Sequence, residues 1–517
     1  MNRRRFFATI FGCGPGDNPL TLRSVTAAMT ALPFPFLEPR LVWDHFATLC
    51  AIPRQSKQEA ALREHLRAWA RRLELENEVD AIGNLLLRKP ASPGCEDRPG
   101  VVLQGHLDMV CQQNAGTGHD FARDPIRPVL RDGWLIAEHT TLGADNGIGV
   151  ALALAALEDN TLVQPPLEVL LTVDEEAGMG GARRLRPGTL RGRYLINLDT
   201  EEWGEFYLGC AGGMDVEASR ACAREPLPAG YAIWRLAVSG LVGGHSGIDI
   251  QRGRGNAIKL LLEGLRELAA RLDARLIALE GGSARNAIPR EAFAQFALPA
   301  AAGERLPALL DELLAKWRPL LAGIDEGLVL SGLPMASHNE LALAPADQDS
   351  VLDFLDRAAN GVARMSDDFP GVVETSDNLG VVKLEGEICR AVFMVRSLRD
   401  AEAVKLADRL IADAAKHAFQ AKKVGPYPGW TPKPASRLLA LAERAYAREF
   451  GQPARLQVIH AGLECGLLAA SHPALDMLSF GPDIRGAHAP GERVETDSVA
   501  RCWTLLKAVL KELARDG

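Results

Sequence analysis

The amino-acid sequence predicts an α/β fold, with a mixed, largely parallel sheet flanked by helices and a second, inserted α+β unit. Strand-like apolar runs alternate with helical patterns up to about residue 212, the pattern then changes, and the first pattern resumes at Ser436. The chain has 517 residues, of which 47% are hydrophobic. A single core rarely grows beyond ~250–300 residues, so two domains are expected.

The first part begins with two amphipathic helical patterns, for the second of which Ser56 is a candidate N-cap with Glu59 three residues later. A buried helix and four strands follow. The helix is "GIGVALALAALED", and the strands are "GNLLLRK", "GVVLQGHLD", "LEVLLTVDEE" and "RYLINLDTEE".

Metal-type ligands gather where three of these strands end. The strand ends carry His106-Leu107-Asp108, Asp174-Glu175-Glu176 and Asp199. In open α/β sheets the ligand lies beyond the carboxyl ends of the strands. These side chains are therefore expected along one edge of the sheet.

The second unit carries two strand-helix pairs. These are "AIWRLAVSGL" with "NAIKLLLEGLRELAARL", and "CRAVFMVRSL" with "DAEAVKLADRLIADAAKHAF". The Pro/Gly-rich "VGPYPGWTPKPAS" is expected to be the return linker. The predicted parts are an N-terminal extension over 1–36 with a start that could be mis-assigned, a first α/β part over 37–212, an inserted domain over 213–425, and a second α/β part over 426–517 that completes the first.

Composition narrows the classes of partner. A net charge of -8 without Lys/Arg-rich runs argues against nucleic acid. No apolar run reaches the ~18 residues of a membrane span. Nine cysteines without a C-x-x-C pair suit a reducing compartment, and the basic start followed by a short apolar stretch is not expected to act as an export signal. A cytoplasmic protein with a small-molecule or peptide ligand is expected.

Each candidate ligand also has an ordinary structural interpretation. His106 and Asp108 could be polar strand-end residues, and Asp145 could be a helix N-cap, although Asn146 could serve equally well. Asp199 could be an ordinary strand-end residue, and His488, in a loop, a surface histidine. Together they supply two imidazoles and several carboxylates, a set that suits Zn²⁺, Mn²⁺ or Co²⁺ rather than calcium.

Six segments in order resemble the dinuclear-zinc M20 metallopeptidases, and among them the aminoacyl-histidine dipeptidases, also called Xaa-His or cytosol non-specific dipeptidases. The resemblance extends from about Leu37 to the C-terminus. The segments are "QGHLDMV", "TTLGADNGIGVA", "TVDEEAGMGG", "LINLDTEE", "GGHSGIDIQRGRGNAI" and "GPDIRGAHAPGERV".

The resemblance implies a zinc-exopeptidase catalytic domain that holds two Zn²⁺ per chain, with Mn²⁺ or Co²⁺ as alternatives. His106 and Asp199 would hold one ion and His488 and Glu176 the other, with Asp145 bridging them. Asp108 would orient His106, and Glu175 would be the general base. A cis peptide is expected between Asp145 and Asn146.

The inserted domain would then be a lid. His245 would stabilise the oxyanion, and Arg396 would pair with the substrate's α-carboxylate. Asn286 is a further substrate-binding candidate, and Gly462 and Glu464 resemble a substrate-side loop without an assigned role.

The implied activity is metal-dependent hydrolysis of unblocked dipeptides, including Xaa-His dipeptides. One alternative is an N-acyl amino acid amidohydrolase or carboxypeptidase on the same metal site. Another is a non-catalytic metal- or peptide-binding protein. The expected partner is a small peptide, without nucleic acid or membrane, and the chain could form a homodimer.

Overall fold

The computed structural model describes residues 34–336, 341–433 and 435–515. The predicted N-terminal extension lies almost wholly outside these residues. The helices are α1 (Arg40–Ala51), α2 (Ala60–Arg72), α3 (Ala144–Glu158), α4 (Gly180–Arg183), α5 (Ala257–Leu272), α6 (Leu306–Leu320), α7 (Pro345–Arg357), α8 (Asp400–Lys416), α9 (Arg437–Phe450), α10 (Glu464–Ser471) and α11 (Thr496–Arg515), with 3₁₀ turns at Ile250–Arg252 and Ala300–Arg305.

The strands are β1 (Glu76–Val79), β2 (Leu85–Lys89), β3 (Val101–His106), β4 (Val129–Arg131), β5 (Trp134–Ile136), β6 (Leu167–Thr172), β7 (Tyr194–Asn197), β8 (Glu205–Cys210), β9 (Gly212–Ala221), β10 (Arg224–Pro226), β11 (Tyr231–Ser239), β12 (Gly244–His245), β13 (Arg275–Gly281), β14 (Ala287–Ile288), β15 (Ala292–Pro299), β16 (Val329–Pro334), β17 (Leu341–Leu343), β18 (Gly361–Met365), β19 (Val373–Glu385), β20 (Ile388–Ser397), β21 (Gln420–Tyr427), β22 (Arg455–Ile459), β23 (Asp476–Ser479), β24 (Ile484–Arg485) and β25 (Arg493–Glu495).

An eight-stranded mixed sheet has the order β1-β2-β6-β3-β7-β23-β8-β22. The central run β6-β3-β7-β23 is parallel, whereas β1, β2 and β6 pair antiparallel. All four predicted strands lie in this sheet. Because β6, β3 and β7 are parallel neighbours, their carboxyl ends meet at one edge.

The core of this part lies between the sheet and helices α1, α3, α9 and α11. Helix α3 is buried along nearly its whole length because Ile148 to Leu157 contains only Gly, Ala, Val, Leu and Ile. Gly149 permits its close approach to the sheet, since a Cβ there would lie 2.2 Å from the Leu198 carbonyl oxygen.

The predicted N-cap of the second helix is wrong. Helix α2 begins at Ala60, with Glu59 at its N-cap position and no side-chain cap. Ser56 lies in the preceding turn and donates instead to Asp108 Oδ2 at 2.7 Å. The competing bond to a buried carboxylate explains why the capping pattern is not realised.

A nine-stranded antiparallel sheet is built from the chain between β8 and α9, in the order β16-β11-β15-β13-β19-β20-β9-β21, with β18 paired to β19. Both predicted strand-helix pairs belong to it, as β11 with α5 and β20 with α8. Helices α6 and α7 and several further strands lie between them. The predicted linker is in part a strand, because Val424 pairs with Asp215 and Tyr427 with Gly213.

Among the helices that the structure describes, none combines the length and the apolar character needed to cross a membrane. The eight cysteines of the described ranges are free thiols.

Candidate metal centre and substrate pocket

Three neighbouring strand ends bring the central acidic and imidazole groups together. His106 is the last residue of β3, Glu175 and Glu176 follow β6, and Asp199 follows β7. The loop between β24 and β25 adds His488, and the start of α3 adds Asp145. The structure thus brings together the predicted ligands from five separate segments of the chain.

Asp145 lies between the two imidazoles. Its Oδ1 is 3.1 Å from His106 Nε2, and its Oδ2 is 3.2 Å from His488 Nε2. His106 Nε2 is also 3.6 Å from Asp199 Oδ1, and His488 Nε2 is 3.2 Å from Glu176 Oε2. One carboxylate oxygen of Asp145 therefore faces each half of the site.

The donor atoms fit a pair of metal ions. His106, Asp145 and Asp199 form one group with ligand atoms within 4.8 Å of one another, and Asp145, Glu176 and His488 form another. Glu176 Oε1 is buried without a hydrogen-bond partner, an arrangement that a cation would satisfy. A third group combines His106 with Glu175 and Glu176.

The turn that carries Asp145 has a distinct backbone. Gly143 has φ 70°, and the peptide between Asp145 and Asn146 is cis, so that expectation is confirmed. Asp145 does not cap α3, because its carboxylate oxygens face the two histidines. Asn146 instead donates from Nδ2 to the Leu198 carbonyl at 2.7 Å, which joins this turn to the end of β7.

Sequence reasoning missed Glu492, a buried residue of the His488 loop. Its Oε2 accepts from the backbone N–H of Leu142 and Gly143 at 2.7 and 2.8 Å. Its Oε1 accepts from the N–H of Ala144 and Asp145 at 2.8 and 3.2 Å. One carboxylate thus holds four consecutive N–H groups of the Asp145 turn.

Arg54 holds the other side of the same turn and was also missed. Its buried guanidinium donates to the carbonyls of Leu107, Asp108 and Gly143. It therefore links the end of β3 to the Asp145 turn. No local sequence pattern marks either residue, because both act on backbone groups that only the folded chain brings near.

Asp108 connects His106 to the two glutamates. His106 Nδ1 lies 3.1 Å from the Asp108 carbonyl oxygen and 3.5 Å from its Oδ1. The Asp108 carboxylate accepts from the backbone N–H of Glu175 and Glu176 at 3.0 and 3.1 Å. Burial alone would raise the pKa of Asp108, but the interactions with His106 and Ser56 lower it overall.

Burial and neighbouring charges shift the pKa values of several groups at this site, Glu175 among them. Burial raises its pKa well above the ordinary range, with further contributions from the charges of Glu176, Asp199 and Glu464. Burial also raises the pKa of Asp199, to about 6. Hydrogen bonds with Asp145 and Glu176 raise the pKa of His488 to about 11.

His245 lies in the antiparallel part of the molecule with a defined tautomer. Its Nδ1 accepts from the backbone N–H of Gly247 and Ile248, each at 3.1 Å. Nδ1 is therefore unprotonated, and Nε2 carries the hydrogen. Burial and the charge of Arg396 lower the pKa of His245 to about 4, so the ring is neutral near pH 7.

Arg396 lies beside His245, with its Nη2 3.4 Å from His245 Nε2. Its Nη1 donates to the Tyr427 hydroxyl at 2.8 Å. Asn286 is exposed, and its backbone carbonyl accepts a hydrogen bond from the Ser246 N–H at 2.8 Å.

Two residues of the "HAGLECG" segment have different surroundings. Gly462 lies against Tyr427, since a Cβ there would be 3.0 Å from its ring. Glu464 is the first residue of α10, and its side chain is 0% exposed. It accepts from Gln104 Nε2 and Thr172 Oγ1, each at 2.6 Å, beneath the strand ends, and burial raises its pKa to about 7.

Residues 102–512 match the model of peptidase family M20/M25/M40. The chain therefore belongs to this family of peptidases, and the predicted family and fold class are confirmed. It is 44% identical over 477 residues to the cytosol non-specific dipeptidase of Escherichia coli, a match that covers 92% of this chain and 98% of that relative.

The fold of this chain is also similar to the folds of solved peptidase structures. Aminoacylhistidine dipeptidase from Vibrio alginolyticus has a TM-score of 0.81 and 43% identity, with coverage of 92% of this chain and 97% of that one. Aminopeptidase PepT from Bacillus cereus has a TM-score of 0.53 at 16% identity, covering 92% of this chain and 99% of that one. At that identity, the second likeness shows the shared fold alone.

Proposed function

We propose that this chain is a dipeptidase that hydrolyses unblocked dipeptides, including those with C-terminal histidine, with the help of two divalent metal ions. The observation that carries the proposal is the shared carboxylate of Asp145, with one oxygen toward each histidine. Two dipeptidases at 43 and 44% identity over 92% of the chain support the substrate class.

The ligands divide into two sets. His106 and Asp199 would hold one ion, His488 and Glu176 would hold the other, and Asp145 would belong to both. Mixed imidazole and carboxylate donors suit Zn²⁺, with Mn²⁺ or Co²⁺ as alternatives. When bound, such a pair polarises the scissile carbonyl and lowers the pKa of water toward about 7.

Glu175 would be the general base. No hydrogen bond or ion pair involves its carboxylate within the described part of the chain, although the group lies near His106 and Glu176. Because both metal sets are complete without it, this carboxylate is available to take a proton from the attacking water and deliver it to the leaving amine. The raised pKa favours the first of these transfers, because it makes the carboxylate a stronger proton acceptor.

His245 would stabilise the negative charge that develops on the carbonyl oxygen. Its neutral ring presents an Nε2–H donor that no acceptor in the described ranges occupies. Arg396 would bind the substrate's α-carboxylate next to it. The contact between these two residues suits a substrate with one residue after the scissile bond, as a dipeptide has.

Residues 213–425 would form the lid and 37–212 with 426–517 the catalytic domain. The name of the Escherichia coli relative places that protein in the cytosol, and we propose the same location here. A homodimer is compatible with this proposal.

The test is hydrolysis of β-Ala-His, Gly-His and N-acetyl-His by purified protein, with and without added zinc or manganese. Metal-dependent release of histidine from the two free dipeptides alone is the expected result. Cleavage of N-acetyl-His alone would make the protein an amidohydrolase. Absence of turnover with two ions bound, counted by elemental analysis, would contradict an enzymatic role.

A further inference from the structure

Arg396 is a buried cation near the end of β20. Its side chain is only 4% exposed, and no ion pair with a carboxylate involves it within the described ranges. Nη1 contacts a tyrosine hydroxyl, Nη2 contacts a histidine ring, and Nε has no partner. A buried charge is costly unless it is paired. An anion bound beside Arg396 would therefore pair with this charge.

Tyr427 is aligned with Arg396 by the sheet itself. Gly213 of β9 lies opposite Arg396 of β20 on one side and opposite Tyr427 of β21 on the other. Residues directly opposite each other in a sheet project to the same face. Gly213 leaves the space for this contact, because a Cβ there would lie 2.8 Å from the Tyr427 hydroxyl oxygen.

Gly462 contacts the Tyr427 ring from the side opposite Gly213. A Cβ at Gly462 would meet the tyrosine ring at 3.0 Å and Met179 at 3.4 Å. The ring therefore lies between a glycine of the antiparallel sheet and a glycine of the catalytic part. Two small residues fix where the hydroxyl is placed.

The Tyr427 hydroxyl accepts a hydrogen bond and still has one to give. It accepts from Arg396 Nη1 at 2.8 Å, and none of the described groups accepts its own proton. Burial raises the pKa of Tyr427, so the phenol keeps that proton near pH 7. Unlike a carboxylate, the phenol orients the guanidinium without neutralising it.

We propose that Tyr427 determines specificity for a free C-terminal carboxylate, because its hydroxyl holds the Arg396 fork and donates its own hydrogen bond to the bound carboxylate. This inference rests on the proposed dipeptidase function. It adds a neutral donor to the charge that Arg396 supplies, and it gives Gly213 and Gly462 the role of making room for that donor.

The experiment compares Gly-His with its C-terminal amide as substrates of wild-type protein and of Tyr427→Phe. A hydrogen bond to a charged group contributes enough to change binding by about tenfold or more. We expect kcat/KM for Gly-His to fall by roughly that factor, mainly through KM, while kcat/KM for the amide changes by less than about twofold. Equal losses on both substrates, or none, would overturn the proposal.

Matched measurements keep the result specific. Tyr207→Phe removes a hydroxyl that donates to Glu205 on β8, away from the pocket, and should leave the ratio of acid to amide at the wild-type value. Gly462→Ala, which should push the ring aside, is expected to lower the ratio in the same direction as Tyr427→Phe.

Calorimetric titration of the metal-loaded protein with histidine and with histidinamide measures recognition of the free carboxylate without turnover. Weaker binding of histidine alone to Tyr427→Phe supports the proposal, and unchanged binding overturns it. If wild type hydrolysed neither peptide, the dipeptidase proposal would fail while this titration still tested Tyr427.

Discussion

Glu175 and Glu176 are adjacent, yet their carboxylates have different surroundings. Glu176 lies 3.2 Å from His488 Nε2, whereas Glu175 has no such partner within the described ranges. Asp108 holds the backbone N–H of both residues, so a single anchor presents two carboxylates in different directions. The sequence predicts that these two glutamates and Asp199 gather here, because they follow neighbouring strands.

Changing Glu175 to Gln should remove a proton acceptor without removing a ligand. We expect kcat to fall by ~10²–10⁴-fold, the usual contribution of general acid-base catalysis. Metal content, measured by elemental analysis, should stay at the wild-type value. Glu176→Gln is the matched control and should lose metal. Turnover of Glu175→Gln within a few-fold of wild type would contradict the assigned role.

At the scale of elements, the loop after β24 and the turn before α3 behave as one unit. The loop supplies His488, and the turn supplies Asp145. Glu492 of the loop accepts four N–H groups of the turn. Strands and the buried helix α3 were predictable from apolar runs. The bonds from Glu492 to the turn, called the Glu492 clamp below, were not, because hydrogen bonds between a side chain and a distant backbone leave no periodic pattern.

Glu492→Gln should weaken metal binding without unfolding the protein. An amide presents one acceptor and one donor group to four N–H donors, so part of the Glu492 clamp is lost. Residues that orient ligands typically change metal affinity by about 10–100-fold. Competition with a fluorescent chelator would measure the effect. Glu495, three residues after Glu492, forms an ion pair with Arg501 instead. Glu495→Gln should therefore retain the metal affinity of wild type.

Two helix glycines should respond in opposite ways to alanine. At Gly149 of α3, a Cβ would lie 2.2 Å from the Leu198 carbonyl oxygen, so Gly149→Ala should destabilise by about 1–3 kcal/mol or more. At Gly264 of α5, the nearest atom is 3.6 Å away. Gly264→Ala should be neutral or slightly stabilising, because alanine favours helix. Urea unfolding of both variants measures the difference.

At the scale of the whole molecule, the two large sheets meet at His460. This residue follows β22 of the mixed sheet, and its Nε2 is 2.7 Å from Ser376 Oγ on β19 of the antiparallel sheet. A Cβ at Gly247 would lie 2.0 Å from the His460 carbonyl oxygen, which shows how closely the two parts approach. His460 itself is only 6% exposed.

His460 should make stability depend on pH. Burial, and then the charge of Arg396, lower its pKa from 6.5 to about 3. Between these values the unfolded chain binds more protons than the folded chain, so the free energy of unfolding rises with pH. This contribution is complete above about pH 6.5 and is lost as pH falls toward 3.

Thermal unfolding of the chelator-treated protein from pH 7 to pH 4 tests this expectation. The Tm of His460→Gln should fall less than the Tm of wild type as the pH is lowered over that interval, since glutamine does not titrate. The exposed His139→Gln should keep the wild-type slope. Parallel curves for wild type and His460→Gln would contradict the role of this contact.

The sequence predicts the local parts of this molecule better than their assembly. Strand ends, the buried helix and the ligand motifs depend on neighbouring residues and were found. The contact of Ser56 with Asp108, the burial of Glu464 and the row formed by Arg396, Gly213 and Tyr427 depend on segments far apart in the chain. For that reason no local sequence pattern predicts these contacts.

The position of β23 has a consequence for how the protein is made. This strand, Asp476–Ser479, lies between β7 and β8, which precede it by more than 260 residues. On a ribosome, the antiparallel sheet can finish while that gap in the mixed sheet is still open. Unpaired strand edges invite association with other chains. We therefore expect nascent chains that stop short of Asp476 to need chaperones most.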